Sequence, residues 1–146
     1  MELNCVEFAL GESRVRVDAE RTRAYYDAHA ALSASCDCGY CRNYRAACSG
    51  IPKEAEGLLD QLGLPLTRPA EIMEWCREAD GRHWYTIQYH VAGELLAQGR
   101  APVEIAPEVT VGFTKDSGPF LEGFPEPFFQ VFLDLRLPWL LEEPED

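Results

Sequence analysis

Residues 71–91 read EIMEWCREADGRHWYTIQYHV, two runs of strand-forming side chains on either side of Asp80-Gly81. A two-residue Asp-Gly link is a strong hairpin signal, because a type I′ turn needs positive φ at both central positions and these two residues tolerate it. A register follows. Ala79 faces Arg82, Arg77 faces Trp84, Cys76 faces Tyr85, Trp75 faces Thr86 and Glu74 faces Ile87. Because side chains alternate across a strand, one face is predicted to carry Ile72, Cys76, Tyr85, Ile87, Tyr89 and Val91. The other carries Trp75, Arg77, Trp84, Gln88 and His90, which places Cys76 in the core beside Tyr85.

Further along the chain the period stays at two. Residues 103–114 alternate Val103, Ile105, Val109, Val111 and Phe113 with Glu104, Glu108, Thr110 and Thr114, the pattern of one half-solvated strand with Pro107 at an edge or bulge. Residues 127–137 repeat the pattern, with Phe129, Val131, Leu133, Leu135 and Leu137 opposite Gln130, Asp134 and Arg136. Gly118-Pro119 and Gly123 to Pro127 make the connection between them turn-rich.

Upstream of the hairpin the period is helical. Residues 3–17 are short apolar stretches divided by Gly11, read as an N-terminal extended segment or hairpin. Asp18 fits a helix N-cap for residues 19–33, with Tyr25, His29 and Leu32 along one stripe. Residues 40–48 form a short second helix. A third starts at Pro52, buries Ala55, Leu58, Leu59 and Leu62, and stops at Gly63. Helices followed by a run of strands indicate one α+β domain over residues 1–146, with an antiparallel sheet of about four or five strands and the helices packed on one face. It comprises a helical, cysteine-rich part at about 18–63, a β-rich part at about 70–139 and an acidic tail at 142–146.

Charge narrows the function. The net charge is −12, and residues 51–146 hold seven basic side chains against eighteen acids. A phosphate backbone or an anionic membrane surface would repel this chain, so neither nucleic acid nor membrane is expected as a partner. A signal-peptide pattern and a membrane-length apolar run are both absent from the sequence, which makes the cytoplasm the expected compartment. There thiols stay reduced, and metal binding, redox chemistry or burial is expected of them rather than permanent disulfides.

The chemistry is concentrated in Cys36-Asp37-Cys38-Gly39-Tyr40-Cys41, which holds three of the six cysteines. Thiols spaced C-x-C-x-x-C can converge on one zinc ion through Cys36, Cys38 and Cys41, with His29 or His90 as fourth ligand. Cys48 is excluded: on one helix it lies about 10 Å along the axis from Cys41 at about 1.5 Å per residue. Sulfurs sharing a zinc must stand within about 4 Å of one another. Cys5, Cys48 and Cys76 are read as packing residues. A second reading makes Cys38-Gly39-Tyr40-Cys41 a redox or nucleophilic pair at a helix start, with Arg42 and Arg45 favouring the thiolate and Asp37 opposing it.

The run Cys36 to Tyr44, the Tyr89-His90 pair before Gly93, and Phe124-Pro125-Glu126-Pro127 leading to Leu137-Pro138-Trp139 resemble an uncharacterised family of small bacterial proteins. That resemblance implies a bacterial domain family and brings no assignment of activity, and its motif does not include Cys48. The reading that follows is a small binding or accessory protein with zinc as its cofactor. The alternatives are a thiol-dependent redox enzyme using Cys38 and Cys41, or an interaction module using the Trp75/Trp84/His90 face toward a protein, a small molecule or a second copy.

Overall fold

The computed structural model describes residues 5–29, 38–115 and 121–142. Among them lie seven strands and three helices: β1 (Cys5–Leu10), β2 (Ser13–Asp18), α1 (Ala19–Ala28), α2 (Gly39–Ala47), α3 (Lys53–Leu62), β3 (Glu71–Arg77), β4 (His83–Ala97), β5 (Val103–Ala106), β6 (Val109–Thr114) and β7 (Phe128–Leu137). All pairings are antiparallel, in the order β1-β2-β4-β7-β6-β5 with β3 beside β4, so the α+β class holds and the sheet is larger than expected. The extra strands come from the N-terminal hairpin and from residues 103–114. That segment folds as β5 and β6 rather than as one strand, because Pro107-Glu108 turns the chain and Glu108 takes φ 63°. Pro at the second turn position followed by positive φ is the requirement of a type II turn.

The central hairpin departs from the expected register. Gly81 takes φ 90° while Asp80 does not enter the positive range, so a type I′ turn does not form. Instead Gly81 N–H reaches Glu78 O at 2.9 Å and Glu78 N–H reaches Arg82 O at 2.7 Å. This is a three-residue loop of a type I turn closed by a left-handed glycine. Arg77 therefore pairs with His83, and a bulge between Glu74 and Cys76 sets Glu74 opposite Tyr85 and Cys76 opposite Trp84. The assignment of Cys76 to the core is overturned: it shares the Trp84 side and is exposed. Ile72 still pairs with Ile87, and Trp75 still lies with Trp84, their rings 5.8 Å apart.

β4 is the spine. One edge pairs with β7 over His83 to Ala92; on the other, pairing with β3 ends at Gln88 and pairing with β2 begins at Gly93. The gap is filled by side chains of α1. Tyr26 Oη accepts His90 N–H at 2.9 Å and donates to His90 O at 3.4 Å, and Thr22 Oγ1 accepts Ala92 N–H at 2.9 Å. Buried backbone polar groups need partners, and here two side chains replace a strand.

α1 is set by its cap, as expected: Asp18 Oδ1 accepts Arg21 N–H at 3.1 Å. The third helix stops where expected, at Gly63. Tyr26, Tyr44, Ala55, Leu59 and Leu62 from the helices join Val15, Val17, Tyr85, Ile87, Tyr89, Val91, Val111, Phe113, Phe129, Val131, Leu133 and Leu135 from the sheet in one buried cluster. Among the described residues no helix is long and apolar enough to cross a membrane.

Candidate thiolate site

α2 begins at Cys38 because that residue is extended (φ −72°, ψ 161°) and its Sγ accepts the N–H of Cys41 at 3.4 Å. A thiol or thiolate thus satisfies one of the amides left over at a helix start, the task usually done by Ser or Asp. Cys38 is exposed and Cys41 is buried one turn below it. Arg42 stands at the same end, its Nη2 4.0 Å from where a Cβ on Gly39 would lie. Cys36 and Asp37 lie outside the described residues.

Three anchors hold this end of α2 on the sheet. Tyr85 Oη donates to Tyr40 O at 2.9 Å. The fully buried Asn43 donates to Pro138 O at 3.0 Å and to Tyr85 Oη at 3.3 Å, and accepts Leu140 N–H at 2.7 Å. Trp139 then covers Gly39, its ring 3.5 Å from where a Cβ on that glycine would lie, and stands edge-on to Tyr40, with ring centroids 5.8 Å apart. Burial pushes the Tyr85 phenol up to about 12, opposed by the Asn43 hydrogen bond and reinforced by the negative charge of Glu74, Cys41 and Cys38.

A histidine also stands here. His83, the first residue of β4, is 2% exposed, and its Nδ1 is 2.8 Å from Glu74 Oε2 across the hairpin. Its ring lies 5.2 Å from Trp139 and 6.2 Å from Tyr40, the side chain between the two cysteines. His29 and His90, the histidines singled out by sequence, meet elsewhere. His29 stacks on Tyr25 at 4.0 Å, and its Nδ1 is 2.9 Å from Tyr25 O. His90 is fully buried, accepts Leu121 N–H at 3.3 Å and packs on Phe124 and Phe128. Tyr25 also touches Phe124, so both histidines belong to one aromatic cluster. His90 lies seven positions along the strand from His83, about 23 Å at about 3.3 Å per residue.

Family models, curated proteins and solved structures were all compared with this chain, and none matches. Function therefore has to be read from the residues themselves. Among the described residues no three His, Cys, Asp or Glu side chains stand close enough to hold a metal ion.

The remaining sulfurs divide by burial. Cys48 is buried against Tyr44 and Leu66, and burial pushes its thiol up to about 11, the state of a packing cysteine. Cys5 is half-buried. On the outer sheet face, Trp75 is exposed and donates Nε1–H to Thr86 Oγ1 at 2.7 Å, while Arg136 lies 5.0 Å over the Trp84 ring. The cation–π partner of Trp84 is thus Arg136. Arg77, expected on that face, pairs instead with His83. With residues 121–128 lying over His90, the Trp75/Trp84/His90 surface is divided into an open tryptophan end and a closed histidine end.

Proposed function

We propose that this chain is a small cytoplasmic binding protein whose Cys36, Cys38 and Cys41 thiolates hold a zinc ion. The observation that supports it is the sulfur of Cys38 taking the Cys41 amide, which sets the Cys38 thiol at the helix start whose first turn carries Cys41. Amide donors and the positive end of a helix favour a sulfur carrying negative charge, the form in which cysteine binds metal. Cys36 enters through the C-x-C-x-x-C spacing. Protein purified without chelator is expected to carry close to one zinc per chain by elemental analysis. Cys38→Ser is expected to release it and lower the melting temperature, because ligand binding and folding are coupled. Metal-free protein of unchanged stability overturns the reading.

A second reading has its own support. An exposed Cys38 above a buried Cys41 is the layout of an attacking and a resolving thiol. On that reading iodoacetamide modifies Cys38 at pH 6 far faster than it modifies a model thiol, and slow alkylation of the native protein removes it.

A further inference from the structure

We propose that β1 is the interface through which two copies of this chain pair, edge to edge and antiparallel, into one continuous sheet. The inference is independent of the cysteine site. It rests on the backbone, the apolar surface and the charges of that edge.

β1 ends the sheet, and among the described residues only β2 pairs with it. An exposed strand edge is a template for a further strand, and proteins blunt it with bulges, prolines, charges or short strands. The other edges carry such devices. β5 is four residues long, its register is irregular between Glu104 and Ala106, and Pro107 follows it directly. β3 is bulged after Glu74 and carries Glu71, Glu74 and Arg77. By contrast β1 runs six residues in unbroken register with β2 and holds no proline. Its one charge, Glu7, is taken by Arg16 at 3.1 Å. Val6, Phe8 and Leu10 share the face of Val15 and Val17, yet Val6 is 61% exposed, and a groove of about 460 Å³ separates this strand from Leu58 of α3. Contiguous apolar surface at an open edge marks an association site.

Charge selects a second copy as the occupant. Glu94, Arg16 and Glu7 stand side by side across three strands, and that row stops at the edge. Arg14 is exposed, flanked by Ala9 on β1 and Ala97 on β4, and among the described residues it makes no ion pair. A two-fold axis at right angles to the sheet keeps the apolar faces of both copies on one side, so a residue on the axis faces its own counterpart. An axis at Glu7 would oppose two like charges. An axis at Phe8 sets Phe8 against the partner's Phe8, Val6 against the partner's Leu10, and Glu7 against the partner's Ala9. The partner's Arg14 is then next in the row of Glu7, two strands away at about 10 Å with only an alanine between them. The unpaired cation thus meets the end of the charged row, once on each side of the axis. Backbone polarity agrees. Leu10 and Ser13 close a two-residue link in which Gly11 takes φ 60°, a pair that exchanges its own hydrogen bonds, so alternation turns the N–H groups of Glu7 and Ala9 outward.

Sedimentation equilibrium of the full chain tests this on wild type, Ala9→Pro, Arg14→Glu and Arg14→Lys. Wild type is expected to be a reversible dimer. Ala9→Pro removes an outward N–H at an edge position that tolerates proline, and is expected to be monomeric with an unchanged far-UV spectrum. Arg14→Glu is expected to raise the dimer dissociation constant about 10-fold, because two equivalent pairs are lost at once, while Arg14→Lys stays near wild type. A monomeric wild type overturns the proposal and leaves the edge to a strand of another protein. A dimer that Ala9→Pro leaves intact overturns the placement at β1. Should Ala9→Pro not fold, Phe8→Cys decides. Opposed residues of a pair without hydrogen bonds stand about 4.5 Å apart at Cα, within disulfide reach. Mild oxidation of Phe8→Cys is then expected to link the residue-8 peptide to itself, as read by mass spectrometry, and absence of that link overturns the register.

Discussion

Removing the Tyr26 hydroxyl tests whether α1 completes the sheet. In Tyr26→Phe the ring keeps its edge contacts with Tyr89 and Phe124, while His90 N–H loses its acceptor and His90 O its donor at a fully buried position. Leaving one buried backbone donor unsatisfied costs about 1–3 kcal/mol. For a chain of this size each kcal/mol lowers Tm by about 2–4 °C, so the middle of that range corresponds to a fall of about 4–8 °C. Thr22→Val applies the same logic to Ala92 N–H and should cost a similar amount. The two amides sit on one edge two residues apart, so the double variant is expected to depart from additivity. Urea denaturation gives the free energies, and hydrogen exchange reads the two amides directly: protection at His90 should drop in Tyr26→Phe, and at Ala92 in Thr22→Val. A loss below about 0.5 kcal/mol with His90 protection unchanged would refute the idea that a side chain stands in for a strand there.

Four further outcomes follow from individual positions. Gly93 has φ 138° and a Cβ there would lie 1.9 Å from Arg16 O, so Gly93→Ala must push β2 away from β4 and should cost about 2–6 kcal/mol in chemical denaturation. Gly57→Ala, in open space on the exposed side of α3, should instead stabilise by up to about 1 kcal/mol. Burial holds the His90 imidazole down to about 4 from its ordinary 6.5, so the unfolded chain takes up a proton that the fold refuses. Stability should then fall as pH drops from 6.5 toward about 4, and His90→Gln should flatten the upper part of that window in pH-dependent melts. Cys48 should resist alkylation in the native state up to about pH 11 and react on unfolding, as read by mass spectrometry of the modified peptide.

Hydrophobic period carried most of the fold. The alternation in 127–137 returns as β7, with Phe129, Val131, Leu133, Leu135 and Leu137 all buried, and the Asp18 cap and Gly63 stop bound helices where local chemistry places them. The register of the central hairpin was not legible. Asp-Gly serves a type I′ turn and a type I turn with a left-handed glycine equally well, and contacts distant in sequence accompany the choice made here. Arg136 pairs with Glu78 at 2.6 Å, and Arg82 with Glu108 at 2.8 Å, on either side of the loop. β4 likewise runs past Gly93 to Ala97 because β2 pairs with it there. His83 escaped notice for a related reason. Its neighbours Tyr40 and Trp139 are brought to it by the fold, and no spacing motif joins them.

The C-terminal segment gives the cysteine end its third wall. Asn43 sits in α2 yet spends its side chain on residues beyond β7, accepting from Leu140 and donating to Pro138. With both ends of its amide engaged and no exposure, it ties the helix that begins at Cys38 to the segment that carries Trp139. Trp139 in turn covers Gly39, Tyr40 and His83 together. Helix, hairpin and C-terminal segment therefore meet at one place, each held by a buried hydrogen bond before any ligand is considered. Groups fixed in this way lose little further freedom when they bind, so the described part of the site is rigid in advance.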